Sequence, residues 1–118
     1  MYLIAVKTQF IGFHSWDDAP DEVSFLRNEH RHIFNIKLTL EVFTNDREVE
    51  FFMLQKDLDD YLKKIDVRND MRSCEWLAEL IVQKFSYYKS KKDRKVKCEV
   101  FEDNENSGIF TNFNNLLS

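Results

Sequence analysis

Between His30 and Val42 the chain alternates without a break. His30, His32, Phe34, Ile36, Leu38, Leu40 and Val42 form one set, and Arg31, Ile33, Asn35, Lys37, Thr39 and Glu41 the other. A period of two places the first set on one face of a β-strand and the second on a mostly wet face. The strand is expected to end near Thr44, where Asn45-Asp46 supplies turn chemistry. Upstream, Tyr2 to Ile11 is rich in β-branched and aromatic residues and predicts a first strand, after which Gly12 and Phe13 lead to His14. Downstream, Arg47 to Phe52 predicts a short third strand returning in a hairpin. Val96, Cys98 and Val100 alternate with Lys97, Glu99 and Phe101 as a fourth strand, with Glu102 in phase with the apolar set. The run from Glu102 to Gly108 reads as a turn, and Ile109-Phe110 as a short closing strand.

Two stretches change period. Leu54, Leu58, Tyr61, Leu62 and Ile65 recur at helical spacing, with Asp57, Asp59, Asp60, Lys63 and Lys64 on the other side. After a polar link from Asp66 to Met71, Leu77, Leu80, Ile81, Phe85 and Tyr88 give a second helix its stripe. Ser73 is its expected N-cap, and Glu75 sits in the first turn, where the helix dipole favours negative charge. Ser15 to Glu29 is long, acidic and non-periodic, which suits either a substrate loop or a plain solvated connection. Lys89 to Lys95 is basic and reads as a solvated loop or hairpin rather than an anion patch. Thr111 to Ser118 is polar with two late leucines and is expected to be peripheral.

Composition narrows the class. A chain of 118 residues suffices for one domain, here 1-118, with its own core. Apolar content of 43% and charged content of 32% are those of an ordinary soluble domain. Eleven phenylalanines point to a sheet-rich core or a subunit interface. A net charge of −4 argues against a nucleic-acid partner, which would need a basic face. Two cysteines without a CxxC pair suit a reduced, cytoplasmic protein, and no signal peptide or membrane-length apolar run is read, so no membrane partner is expected.

The chemistry lies in the histidines. His30 and His32 fall at the start of a buried strand face, and His-x-His on a strand aims two imidazoles the same way. The third histidine, His14, follows the first strand, so the three can meet at strand ends. As a metal triad they would leave one tetrahedral position open, the pattern of a catalytic zinc. The plainer alternative is three half-buried imidazoles satisfied by hydrogen bonds. Glu102 could accept paired N–H donors from a guanidine-like ring edge, or be a solvated turn residue beside Asp103 and Glu105. Cys74, at a predicted helix N-terminus, could be a lowered-pKa thiolate or a small buried residue. Cys98 lies mid-strand and belongs to the core.

Taken together, these residues resemble the 6-pyruvoyltetrahydropterin synthase / 6-carboxytetrahydropterin synthase family over about Leu3 to Phe110. The matching features run from Phe10 to His14, then His30-Arg31-His32, Glu50-Phe51, and the helix start Ser73-Cys74-Glu75-Trp76-Leu77-Ala78. They close with Val100-Phe101-Glu102 followed by Phe110. The resemblance implies an α+β T-fold: a four-stranded antiparallel sheet with two helices on one face, assembling as a homo-oligomer (hexamer-type) into a β-barrel. It implies Zn2+ on His14, His30 and His32, a pterin or purine-like substrate anchored by Glu102, and sites shared between subunits; Glu75 is taken as a second substrate-binding residue. The chain departs from the family where a catalytic cysteine would precede His-x-His: Ser24, Phe25 and Leu26 stand there. It also lacks the family's Asp-His pair between the helices, and Arg31 replaces a glycine. Cys74, Glu22, Asp17 and Asp18 are the candidates to move the proton instead, with Cys74 and Glu22 foremost. A non-catalytic pterin- or purine-binding protein is the alternative.

Overall fold

The computed structural model describes residues 1–114. Four strands, β1 (Tyr2–His14), β2 (His30–Val42), β3 (Val96–Glu102) and β4 (Asn106–Thr111), form one open antiparallel sheet in the order β1-β2-β3-β4. Two α-helices, α1 (Phe51–Lys64) and α2 (Cys74–Phe85), and a 3-10 helix (Asp21–Arg27) complete the α+β architecture. The alternation of β2 is realised as read: Phe34, Ile36, Leu38, Leu40 and Val42 are buried. Register carries the face across the sheet, because Val6 pairs with Leu38, Leu38 with Cys98 and Cys98 with Phe110. Leu54, Leu58 and Leu62 of α1 and Leu77, Ala78, Ile81, Val82 and Phe85 of α2 close on this face as a single core. Both helices therefore cover the same side of the sheet. No helix among the described residues is long and apolar enough to cross a membrane.

Several boundaries differ from the sequence reading, each for a local reason. The third strand expected at Arg47 to Phe52 does not form. Glu50 turns its carboxylate onto the N–H groups of Phe52 (3.1 Å) and Met53 (2.8 Å), capping α1 at Phe51. Phe51 and Phe52, which looked like strand residues, stand exposed on the first turn. β1 runs on past Ile11 to His14, and β4 begins at Asn106, so Gly108 is a strand residue. The hairpin between β3 and β4 turns on Asp103 and Asn104, at φ 52° and 58°. Asn and Asp are the non-glycine residues that best tolerate the left-handed region. Helix α2 stops at Phe85, leaving Tyr88 beyond its end, where its hydroxyl donates to Asp57 (2.5 Å).

The segment from Ser15 to Glu29 is partly ordered by the 3-10 helix, pinned by Trp16 N–H to the Leu26 carbonyl (2.7 Å) and Arg27 Nε to the Ala19 carbonyl (2.8 Å). The basic run from Lys89 to Lys95 is a loop, but Arg94 is not solvated: its side chain is fully buried against Glu48. The two late leucines, Leu116 and Leu117, lie outside the described residues.

Candidate metal centre

Antiparallel pairing of β1 with β2 places His14 directly opposite His30 and Gly12 opposite His32. His14, His30 and His32 thus occupy the helix-facing side of the sheet at one end. On the next strand over, Glu102 pairs with Phe34 on the same face. Phe34, fully buried, forms a floor beneath them, with its ring centroid 5.5 Å from His14 and 5.9 Å from His32. One ligand atom from each of the four side chains lies within 4.8 Å of the other three, and all four residues are half-buried. This cluster could hold a metal ion.

The hydrogen bonds of the imidazoles test that fit. His30 Nδ1 lies 2.7 Å from the Asn28 carbonyl, His14 Nδ1 3.4 Å from the Arg72 carbonyl, and His32 Nδ1 is hydrogen-bonded to the Asp103 carboxylate. All three partners are acceptors, so each Nδ1 carries a proton, and in the neutral ring each Nε2 is left with a lone pair. The three Nε2 atoms are buried and find no hydrogen-bond partner among the described residues. Glu102 Oε1 comes within 3.0 Å of His32 Nε2, but without hydrogen-bond geometry. Lone pairs facing one another and a carboxylate, out of reach of water, are costly as they stand and are satisfied by one cation. Burial also holds the His14 imidazole below its ordinary pKa, against the opposing pull of its bond to Arg72, which favours the neutral form that metals bind. The alternative of three imidazoles satisfied by hydrogen bonds alone is met at Nδ1 and fails at Nε2.

A half-open cleft of about 770 Å³ adjoins the cluster. His14, His30 and Glu102 line it, as do Trp16 and Leu26 from the segment before β2 and Asn69 to Glu75 from the link and first turn of α2. Helix α2 reaches the sheet here because Gly108 has no side chain: a Cβ at that position would stand 2.5 Å from the Glu75 nitrogen. Ser73 caps the helix as read from the sequence, accepting the Trp76 N–H at 3.1 Å.

The other predicted site residues divide. Cys74 and Glu75 line the cleft, but Cys74 is not a lowered-pKa thiol. Burial pushes it up to about 12, with Glu102 and Glu75 adding to the effect, and this outweighs the helix dipole. Cys98 is a buried core residue, as expected. Glu22, Asp17 and Asp18 are exposed and none of them lines the cleft. Glu29 and Asp70, not singled out by sequence reasoning, do line it. Asp103 was also missed. Strand alternation points it away from Glu102, and only the left-handed turn brings it back to His32. The Asn28 and Arg72 contacts come from main-chain carbonyls and have no side-chain signature in the sequence.

Compared with known proteins, the chain matches no family model. No curated protein matches it either. The class defined by fold and site is therefore an α+β domain with an open antiparallel sheet and a three-histidine, one-carboxylate cluster at one end of it.

Proposed function

We propose that this chain is a zinc-dependent, pterin synthase-like enzyme with a T-fold, acting on a pterin or related purine-like compound of the kind handled in tetrahydropterin or 7-deazaguanine formation. The observation that carries the proposal is the convergence of three unpartnered imidazole nitrogens with Glu102 beside a cleft. Three imidazole nitrogens with a fourth position left for substrate suit a catalytic zinc among the common divalent ions. His14, His30 and His32 would hold the ion. When bound, it would supply Lewis-acid polarisation of a carbonyl or hydroxyl on the ring substituent.

The remaining roles fall to the chain's own groups. Glu102 would accept two parallel N–H donors from a guanidine-like ring edge. Trp16, Leu26 and Met71 offer apolar cleft walls for a flat ring. The Asp70 and Glu75 carboxylates in the cleft would accept and return a proton, whereas burial makes the Cys74 thiol a weak acid and a poor proton donor. Assembly is part of the proposal. Leu3, Ile11, Ile33 and Ile109 are 37–47% exposed, all on the face away from the helices, and the sheet has open edges. Subunits closing into a barrel would cover both. A second reading, a protein that binds the ring without turning it over, is favoured by one observation: neither foremost candidate base is in place, Glu22 lying outside the cleft and Cys74 being protonated.

Elemental analysis of protein purified without added metal should find near-stoichiometric zinc, lost in His30→Ala and His32→Ala. Full retention in both variants refutes the site. With metal-loaded protein, calorimetry should detect a pterin or guanine-like ligand. Glu102→Ala should weaken that binding by about 2–4 kcal/mol, while Glu105→Ala, in the same acidic turn but outside the cleft, should change little. Turnover of dihydroneopterin triphosphate followed by mass separates the enzyme from the binder.

A further inference from the structure

We infer that Asp103 is the positioning residue of this metal centre: its carboxylate holds His32 as the Nδ1–H tautomer and so keeps the Nε2 lone pair available to the cation. The inference rests on the metal reading above and adds to it a residue that sets affinity without touching the ion.

The three imidazoles face one requirement and meet it in two ways. His14 and His30 point Nδ1 at main-chain carbonyls, of Arg72 and Asn28. Those acceptors persist whatever side chains stand there. His32 alone points Nδ1 at a side chain. Its tautomer is therefore encoded in one substitutable residue.

Consecutive residues of an extended strand point to opposite faces. Glu102 and Asp103 nevertheless flank the same ring, Glu102 on the Nε2 side and Asp103 at Nδ1. The left-handed backbone of Asp103, φ 52°, makes this possible by folding its carboxylate back over β2. There the Asp103 N–H donates to the Ile33 carbonyl (2.7 Å) and Oδ1 accepts the Ile33 N–H (2.9 Å), leaving Oδ2 for His32. Three contacts to two adjacent residues, one from its main chain and two to its carboxylate, pin Asp103, and both carboxylate oxygens are used. A carboxylate on the far nitrogen of a ligating histidine fixes the ring and raises its basicity, and removing such a partner commonly costs tenfold to a hundredfold, roughly, in metal affinity.

Asp103→Asn isolates the effect. The Asn Oδ1 can still accept the Ile33 N–H, so the turn is preserved, but its Nδ2 is a donor facing His32. That favours a proton on Nε2, the ligand atom. Zinc affinity measured by chelator competition should fall by about tenfold to a hundredfold. Long-range proton–nitrogen NMR of the metal-free protein should show His32 changing from Nδ1–H to Nε2–H, with His14 and His30 unchanged. Should the Asn variant not fold, Asp103→Ala removes the acceptor without adding a donor. Weaker zinc binding and a mixed His32 tautomer are then the supporting result. If wild-type protein binds no metal, the metal reading fails and takes this inference with it. If wild type binds zinc and the variant binds it within about twofold, or binds it more weakly with the His32 tautomer unchanged, the role of Asp103 alone is overturned.

Discussion

Glu48→Ala should unfold more of this protein's stability margin than its surface position suggests. Arg94 is fully buried along its side chain, while Glu48 keeps 25% of its side-chain surface exposed. The guanidinium donates Nε to the Tyr88 carbonyl (2.8 Å), Nη1 to the Glu41 carbonyl (3.0 Å), and both Nη atoms to the Glu48 carboxylate (3.1 and 2.5 Å). Glu48 also accepts the Phe43 N–H at 2.7 Å. Truncation removes the one carboxylate that meets the guanidinium among the described residues, leaving a buried cation with two carbonyl partners. Breaking one side of a buried pair costs about 3–5 kcal/mol, and partial water access at Glu48 reduces the expectation to about 2–4 kcal/mol. For a domain of this size that is a fall in Tm of about 8–16 °C. Urea unfolding followed by tryptophan fluorescence measures it directly. Arg94→Met, which removes the charge while keeping an apolar stem, should cost less, and the double variant should cost less than the sum of the two. The pH dependence follows with its sign. The bond to Arg94 is the main reason the Glu48 carboxyl is held below its ordinary range, opposed by its partial burial. The pair's contribution is then complete above the unfolded carboxylate pKa, about 4.3, and is lost as pH falls through the depressed folded value. Wild type should therefore lose stability over that acidic window more steeply than Glu48→Ala. A Glu48→Ala protein within about 0.5 kcal/mol of wild type at neutral pH would refute the reasoning, since that is the scale of an ordinary surface change.

Two further outcomes test the cleft. Gly108→Ala should destabilise by about 1–3 kcal/mol, because its methyl would meet the main chain at Glu75 and must push the start of α2 off β4; calorimetric melting at wild-type temperature would show the contact is not tight. In metal-free protein at neutral pH, Cys74 should react with iodoacetamide about tenfold or more slower than a free cysteine, because its thiol stays protonated, and alkylation at the free rate would restore it as a candidate nucleophile.

A strand's period of two needs no partner, so the alternation of β2 placed His30, His32 and the core residues on one face before any contact was known. The same phase carried Glu102 onto that face, and the Ser73 cap is a bond within four residues. What escaped the sequence depended on groups far apart or on backbone that alternation cannot describe. Arg94 reads as one more cation in a basic run until Glu48, 46 positions away, comes within reach. The Arg47–Phe52 stretch has strand composition, yet the Glu50 carboxylate finds two free N–H groups and starts a helix. Cys74 sits where a helix dipole would favour a thiolate, and burial against Glu102 and Glu75 reverses the sign. Asp103 reaches His32 through a left-handed turn, while the acceptors for His14 and His30 are carbonyls of residues whose side chains are irrelevant to the bond. Local periodicity decided which side chains share a face; only the folded chain, by burying them and aligning distant acceptors, decided their protonation, their orientation and whether they form a site.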